Sequence, residues 1–170
     1  MIRHNIISLA FVAALGVALL PGPSGAQQKT LKEQLVGTWA PVSIINTAAN
    51  GTKSEVLGPN PKGLMIFESN GHFSLITVRS DLPKFGTNNR DTGTAEENKA
   101  VLQGSIAYFG SYTVNEAEKS YTLQVEGATF PNWAGTTQKR ALSISGDDLT
   151  FINSAGSAGG SNEAKYRRVK

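Results

Sequence analysis

The sequence predicts an all-β protein: a single antiparallel, up-and-down barrel of about eight strands with one short helix. Short runs that alternate apolar and polar residues recur along the chain, and turns rich in Gly, Asn and Pro separate them, which is typical of barrels and sandwiches. Asn70-Gly71 also joins two apolar runs, 62–69 and 72–80, and predicts a hairpin with a type I′ turn. We favour a closed barrel because closure leaves no exposed sheet edge.

The strand candidates follow one another from residue 38 onwards. Alternation is clearest at residues 119–126, where three apolar residues alternate with three polar ones, the period of a half-buried strand. Thr94 and Glu97 have the spacing of a capping box and predict the one short helix, which ends by Gly104. The remaining strand candidates are residues 38–46, 52–57, 108–114, 137–145, 149–153 and 164–169.

Residues 1–26 are predicted to be a signal peptide that is cleaved from the mature protein. Arg3 precedes an apolar run at residues 6–20, and small residues end the segment at Ala26. The run is shorter than the ~20 residues that span a bilayer, so we expect cleavage and no stable membrane insertion afterwards. Residues 27–34 then form a lead-in and residues 35–170 the barrel domain of a periplasmic or secreted protein.

Composition argues against several classes of function. The chain contains no Cys, which excludes disulfides, thiolate chemistry and a lipid anchor on an N-terminal Cys. With His72 as the single histidine after the predicted signal peptide, we expect no metal site. The 16 basic and 13 acidic residues are interspersed, which does not fit nucleic-acid binding. Nucleophile-elbow and phosphate-loop motifs are missing, so we assign no catalytic residue and expect no cofactor.

Trp39 stands at the start of the first strand candidate, two residues after Gly37. A large aromatic side chain at that position needs a hydrophobic environment and a group that covers it. In the last strand candidate, Arg168 shares a face with Tyr166, and a guanidinium that lies on an indole ring contributes ~0.5–2 kcal/mol. We therefore predict that Arg168 covers Trp39 where the first and last strands meet, at the closed end of the barrel.

Five blocks of the sequence resemble the bacterial and fungal lipocalin-like domain family, whose fold is a lipocalin/calycin-type β-barrel. In chain order between residues 35 and 169 they are LVGTW…VS, NPKGLMIFESNGHFS, AYFGSYTV, FPNWAGTTQKR and GDDLTF. Gly37, Trp39 and Arg168 match the structural signature of this type of barrel. The resemblance implies a cavity for a small molecule, but no single activity. Relatives often carry a histidine where this chain has Ser120-Tyr121, so no role of that histidine is transferred.

Arg140 is the most informative polar residue, because it is in phase with the apolar side chains Leu142 and Ile144 of its strand. An inward arginine is costly unless it is paired, so we expect it to meet a carboxylate, carbonyls, a tyrosine or an anionic group of a ligand. Small-molecule sites have mostly apolar walls with few polar groups. The further candidates for such a wall, each of which can instead be an ordinary core residue, are Tyr108, Tyr112, Tyr121, Phe130, Trp133 and Gln138.

The main functional hypothesis is a barrel that binds a small, mostly hydrophobic ligand, neutral or anionic, near Arg140. The alternatives are a barrel isomerase or cyclase that uses Arg140 and a tyrosine, and a packed barrel without ligand that acts as an interaction module. Only Tyr112 and Tyr121 qualify as a second inward titratable group beside Arg140, so binding is favoured. The sequence does not indicate an oligomeric state.

Overall fold

The computed structural model describes residues 29–170, and the predicted signal peptide lies outside the described residues. This part of the chain forms nine strands and two α-helices, with single 3-10 turns at Arg90–Thr92 and Pro131–Trp133. The helices are α1 (Leu31–Leu35) and α2 (Ala95–Gln103). The strands are β1 (Gly37–Thr47), β2 (Lys53–Glu55), β3 (Lys62–Phe67), β4 (His72–Val78), β5 (Ser105–Asn115), β6 (Ser120–Ala128), β7 (Thr137–Ser145), β8 (Asp148–Asn153) and β9 (Ser161–Arg168).

Eight strands close into an antiparallel barrel, which confirms the predicted fold class. From β3 to β9 each strand pairs with the next, and β1 pairs with β9 along most of its length and with β3 over residues 37–39. The short strand β2 pairs only with the end of β1, at residues 45–47, and adds a flap to the barrel. Neighbouring barrel strands therefore satisfy one another's backbone groups.

Alternation along the strands decides which side chains fill the barrel. On β4, for example, Phe73, Leu75 and Thr77 are buried, whereas Ser74 and Ile76 between them are exposed. The inward side chains at one end pack together, with the ring of Phe67 edge-on to two tyrosine rings at 4.9 and 5.6 Å between centroids. Toward the other end the inward side chains surround a cavity.

Helix α1 packs against the filled end of the barrel, where Trp39 is fully buried. The guanidinium carbon of Arg168 lies 4.1 Å from the centroid of the Trp39 ring. Arg168 also donates hydrogen bonds to the carbonyls of Val36 (3.0 Å) and Gln34, and Trp39 Nε1 donates to the Leu35 carbonyl at 2.8 Å. These side chains thus satisfy carbonyls that the end of a helix leaves without intrahelical partners.

Gly37 is required by the same contact. Its φ is +129°, a conformation that side-chain-bearing residues rarely adopt, and a Cβ at this position would lie 2.8 Å from Arg168 Nη1. Glycine therefore lets the guanidinium pass the backbone of β1 and reach the indole ring.

Three local expectations differ from the structure. The hairpin at Asn70-Gly71 forms, but the type I′ assignment is wrong, because positive φ occurs at Gly71 alone. A single strand was expected at 52–57, but only Lys53–Glu55 pairs. The prediction of one helix missed α1, which has its own capping box between Thr30 and Glu33. Neither α1 nor α2, nor any other helix among residues 29–170, is long and apolar enough to cross a membrane.

Candidate functional site

A cavity of about 570 Å³ lies inside the barrel, away from the end that α1 covers. This volume falls within the roughly 300–1,000 Å³ typical of small-molecule sites. Its rim includes Leu102 of α2, which is 66% exposed, and the Gly/Ala/Ser loop after β8. The buried part of its wall consists of Ile44, Leu57, Leu75, Tyr108, Arg140, Phe151, Asn153, Ala164 and Tyr166.

Of the side chains that the structure describes, Arg140 on β7 is the one cation in the buried wall, and it is only 2% exposed. Its Nη1 donates a 2.7 Å hydrogen bond to Tyr108 Oη, and its Nη2 donates a 2.7 Å bond to Gln138 Oε1. Its Nε has no hydrogen-bond partner within the described chain. None of the ion pairs found among residues 29–170 involves Arg140. The guanidinium of Arg140 is therefore hydrogen-bonded to neutral groups, and no negatively charged side chain of the described residues pairs with it.

Three aromatic rings surround the guanidinium of Arg140. Its central carbon lies 5.1 Å from the ring centroid of Phe151, 5.3 Å from that of Tyr108 and 6.0 Å from that of Trp133. Aromatic faces attract a cation within about 6 Å of the centroid. The rings compensate part of the desolvation of Arg140 without neutralising it, so the charge remains available to a ligand.

Burial sets the protonation state of the groups around this charge. Burial by itself lowers the pKa of Arg140, but the oxygens of Tyr108 and Tyr121 outweigh it, so this pKa lies above its ordinary value. Burial raises the pKa of Tyr121 and of Tyr166 well above that of a free phenol. At neutral pH the cavity wall therefore presents the guanidinium cation of Arg140 and the protonated phenol of Tyr166, and both groups can donate hydrogen bonds.

The structure places four of the seven predicted cavity residues in the wall: Tyr108, Phe130, Trp133 and Arg140. Tyr112, Tyr121 and Gln138 do not line it. Tyr112 lies on the same face of β5 as Tyr108 but packs on Phe67 at the filled end, and its hydroxyl donates to the Glu68 carbonyl at 2.7 Å.

Tyr121 and Gln138 are neighbours of Arg140 but lie outside the cavity wall. Tyr121 pairs with Arg140 across β6 and β7, and its hydroxyl, like Arg140 Nε, has no hydrogen-bond partner in the described chain. Gln138 holds one arm of the guanidinium by the hydrogen bond given above. Gln138 therefore positions the cation, Tyr121 lies beside it as a cross-strand neighbour, and neither residue forms the surface that a ligand would contact.

Sequence reasoning missed several residues of the wall. Tyr166, which shares a face of its strand with Arg168, is one of them: it lines the cavity, and its hydroxyl lies 3.4 Å from Thr77 Oγ1 inside the barrel. Asn153 is in phase with Phe151, so its inward direction was readable from alternation. No group of three or more metal-ligating side chains occurs in residues 29–170.

The chain is similar to a known protein family and, over part of its length, to a curated protein. The family model of the lipocalin-like domain matches residues 36–167. The 4'-hydroxy-3'-methoxypropiophenone carrier protein ppsC of Aspergillus oryzae is 36% identical over 64 residues, which cover 34% of this chain and 58% of that protein. The chain thus matches less than two thirds of the length of this curated relative.

A solved structure adds a distant likeness. The crystal structure of a lipocalin-like protein from Bacteroides uniformis aligns with a TM-score of 0.44 and 16% identity, over 80% of this chain and 99% of that one. The family model, in contrast, spans most of the described residues. On that match, the chain belongs to the lipocalin-like domain family.

Proposed function

We propose that this protein is a carrier that holds a small, mostly hydrophobic molecule in its barrel, with an anionic or strongly hydrogen-bond-accepting group of that molecule at Arg140. One observation carries the proposal: Arg140 lines the cavity at 2% exposure with no acidic partner in the described chain. A buried charge is costly unless it is paired, so a cavity that keeps one unpaired is suited to a ligand that supplies the partner.

The chemistry of the wall narrows the class of ligand. Leu75, Phe151 and Ala164 offer apolar surface to the body of a ligand, while Tyr108 and Trp133 hold the cation beside it. The relative from Aspergillus oryzae is described as a carrier of an aryl ketone that also bears a phenol. A carbonyl or phenolate oxygen is an acceptor of the kind that a guanidinium binds, so that description supports the same arrangement here.

The alternative of an isomerase or cyclase is less well supported. Such an enzyme would need a base beside Arg140, and the phenols of Tyr121 and Tyr166 have a raised pKa because they are buried. A phenol that stays protonated at neutral pH donates a hydrogen bond but does not remove a proton. The alternative of a packed barrel without ligand offers no role for a cavity of about 570 Å³.

We also propose that the carrier acts after export, in the periplasm or outside the cell. The sequence pattern of residues 1–26 supports this proposal. N-terminal sequencing of the protein from its own cells should return Gln27 as the first residue. Recovery of the chain from the cytoplasm with Met1 in place would refute it.

Replacing Arg140 with leucine tests the anion position. In the unmutated protein, decanoate should bind more tightly than methyl decanoate, because only the acid carries a charge for the guanidinium. Arg140→Leu should weaken decanoate binding by about 10- to 150-fold, the equivalent of ~1.5–3 kcal/mol for one charge-assisted hydrogen bond. Binding of methyl decanoate should change by about twofold or less. Calorimetric titration of both ligands measures these changes.

Lys139→Leu is the matched control, since it removes one positive charge from the adjacent residue. Lys139 points away from the barrel interior and pairs with Glu118 at 2.7 Å on the surface. This variant should bind both ligands as the unmutated protein does. Equal affinities of the unmutated protein for the acid and its ester would refute the role of Arg140, as would an Arg140→Leu variant that keeps full affinity for decanoate.

A further inference from the structure

Three asparagines form a row across neighbouring strands on the inner face of the barrel. Asn46 on β1 pairs with Asn162 on β9, and Asn162 pairs in turn with Asn153 on β8. Asn46 is 6% exposed and Asn153 is 4% exposed, while Asn162 is partly buried. Asn153 and Asn162 line the cavity. Polar side chains on the inside of a small barrel need hydrogen-bond partners.

Within the described part of the chain, residues 29–170, only one member of this row has a protein partner for its carboxamide oxygen. Asn153 Nδ2 donates to the Ala155 carbonyl at 3.2 Å, and the Ala155 N–H donates to Asn153 Oδ1 at 3.1 Å, so Asn153 anchors the loop that follows β8. The Oδ1 atoms of Asn46 and Asn162 are buried and have no partner among residues 29–170. Although the two residues are cross-strand neighbours, they do not satisfy each other.

A carboxamide has a hydrogen-bond acceptor, its oxygen, and a donor, its NH₂ group. A hydroxyl group complements it because a hydroxyl can both donate and accept a hydrogen bond. An aliphatic carboxylate or a hydrocarbon body has nothing to offer a buried carbonyl oxygen. The unpaired atoms of Asn46 and Asn162 therefore call for a second polar group on the ligand, separate from the group that meets Arg140. Arg140 is on β7 and Asn162 on β9, with β8 between them.

We propose that Asn162, assisted by Asn46, is a second hydrogen-bonding position of the cavity and takes a hydroxyl group of the ligand. This inference rests on the proposed carrier function and defines its ligand further. The ligand class is a compact hydroxylated molecule with an accepting or anionic group at Arg140, an apolar body, and a hydroxyl at Asn162. Plain fatty acids would use only the first of these positions.

Matched probes test this position without knowledge of the natural ligand. The anionic set is 2-naphthoate with its 5-, 6- and 7-hydroxy derivatives, which sample three directions for the hydroxyl. The neutral pair is 2-methylnaphthalene with 6-methyl-2-naphthol. At least one hydroxylated naphthoate should bind the unmutated protein about three- to tenfold more tightly than 2-naphthoate, the effect of one neutral hydrogen bond. A hydroxyl that enters an apolar wall without a partner would instead weaken binding.

The Asn162→Leu variant should lose this preference. Its affinities for the hydroxylated and unsubstituted members should agree within about twofold, while its affinity for 2-naphthoate stays within about threefold of the unmutated value. Thr150→Leu is the matched control, because it adds the same side chain to the adjacent strand at an outward position between the buried Leu149 and Phe151. This control should keep the hydroxyl preference.

Thermal stability separates a binding role of Asn162 from a structural one. Asn162→Leu should melt at the same or a higher temperature than the ligand-free unmutated protein, because it removes a buried oxygen without a partner. Should Asn162→Leu fail to fold, Asn46→Leu carries the same test. The inference is overturned when no hydroxylated probe is preferred by the unmutated protein, or when the preference survives in the variant.

Failure of the proposed function gives a different result. Arg140→Leu should weaken the binding of all naphthoates by a similar factor and leave the hydroxyl preference of the neutral pair intact. If Arg140→Leu changes nothing while Asn162→Leu abolishes the hydroxyl preference, the anion position is wrong and the hydroxyl position holds. The reverse pattern refutes the role of Asn162 alone.

Discussion

Removal of Arg168 should destabilise the barrel much more than removal of Arg167, although the two neighbours carry the same charge. Arg168 lies on the Trp39 ring, donates to the carbonyls of Val36 and Gln34, and so ties β9 to the chain just before β1. Arg167 points outward and pairs with Asp148 at 3.0 Å, where both side chains are more than half exposed.

The contacts of Arg168 set the expected magnitude. Two hydrogen bonds to backbone carbonyls contribute roughly 0.5–1.5 kcal/mol each, and a cation over an indole contributes roughly 0.5–2 kcal/mol. Arg168→Ala should therefore lower the free energy of unfolding by about 2–4 kcal/mol. Arg167→Ala should lower it by about 0.5 kcal/mol or less, as surface substitutions usually do. Trp39→Ala should cost ~3–5 kcal/mol, the range for a large aromatic removed from a core.

Urea denaturation of the single and double variants measures the contact between Trp39 and Arg168 directly. Because the two side chains touch, the double variant should lose about 0.5–2 kcal/mol less than the two single losses together. Trp39→Phe replaces Trp39→Ala in the cycle if the alanine variant does not fold. Losses that add within about 0.3 kcal/mol would refute the pairing, as would an Arg168→Ala variant no less stable than Arg167→Ala.

In an alkaline titration followed by tyrosine absorbance, three of the four tyrosines should ionise only above the ordinary phenol pKa, because burial raises the pKa of Tyr112, Tyr121 and Tyr166. The folded protein favours the neutral form of these phenols, so the stability that they contribute to the fold is fully present below about pH 10 and is lost as the pH rises further. Reversible ionisation of all four tyrosines near pH 10 would contradict this prediction. The pairing of β5 with β6 has a bulge between Phe109 and Gly110, and a Cβ on Gly110 would lie 1.9 Å from the Gln124 carbonyl oxygen. Gly110→Ala should therefore unfold at a much lower temperature than the unmutated protein, and an unchanged melting curve would show that the backbone at this bulge can shift. The carboxylate of Glu97 accepts hydrogen bonds from the N–H groups of Gly86 and Thr94, which lower its pKa, Gly86 more than Thr94. These hydrogen bonds are present above the ordinary pKa of 4.5 and are lost as the pH falls through the lowered value. Glu97→Gln should therefore reduce hydrogen-exchange protection of the Gly86 amide at neutral pH, and equal protection in both proteins would count against this role.

The filled end of the barrel, where Arg168 covers Trp39, illustrates what could be predicted from residue patterns. Alternation places Tyr166 and Arg168 on the same face of the last strand, and Gly37 with Trp39 indicates where a large aromatic side chain must be covered. Both signals are local, because successive side chains of a strand point to opposite faces of the sheet, so that the residues on one face can be read from the strand's own sequence. The same alternation turned Arg140 inward, and the structure finds it there.

Helix α1 illustrates what was not predictable. Its five residues carry a capping box, but a helix this short is not stable by itself. The carboxylate of Glu116, 84 and 85 residues further along the chain, accepts from the N–H groups of Lys32 and Leu31. Pattern reasoning along the chain has no access to such a partner.

By itself, the sequence determined the class of fold, the inward face of the strand that carries Arg140 and the identity of the buried cation, because these follow from local periodicity and composition. Only the tertiary structure decided that Tyr108 meets a cavity while Tyr112, four residues later on the same face, is packed against Phe67. It also decided that Arg140 finds phenol and amide oxygens but no carboxylate among the described residues, and that Asn46 lies beside Asn162. The depth of a side chain in a barrel depends on the stagger between all its strands, and no single strand encodes that stagger.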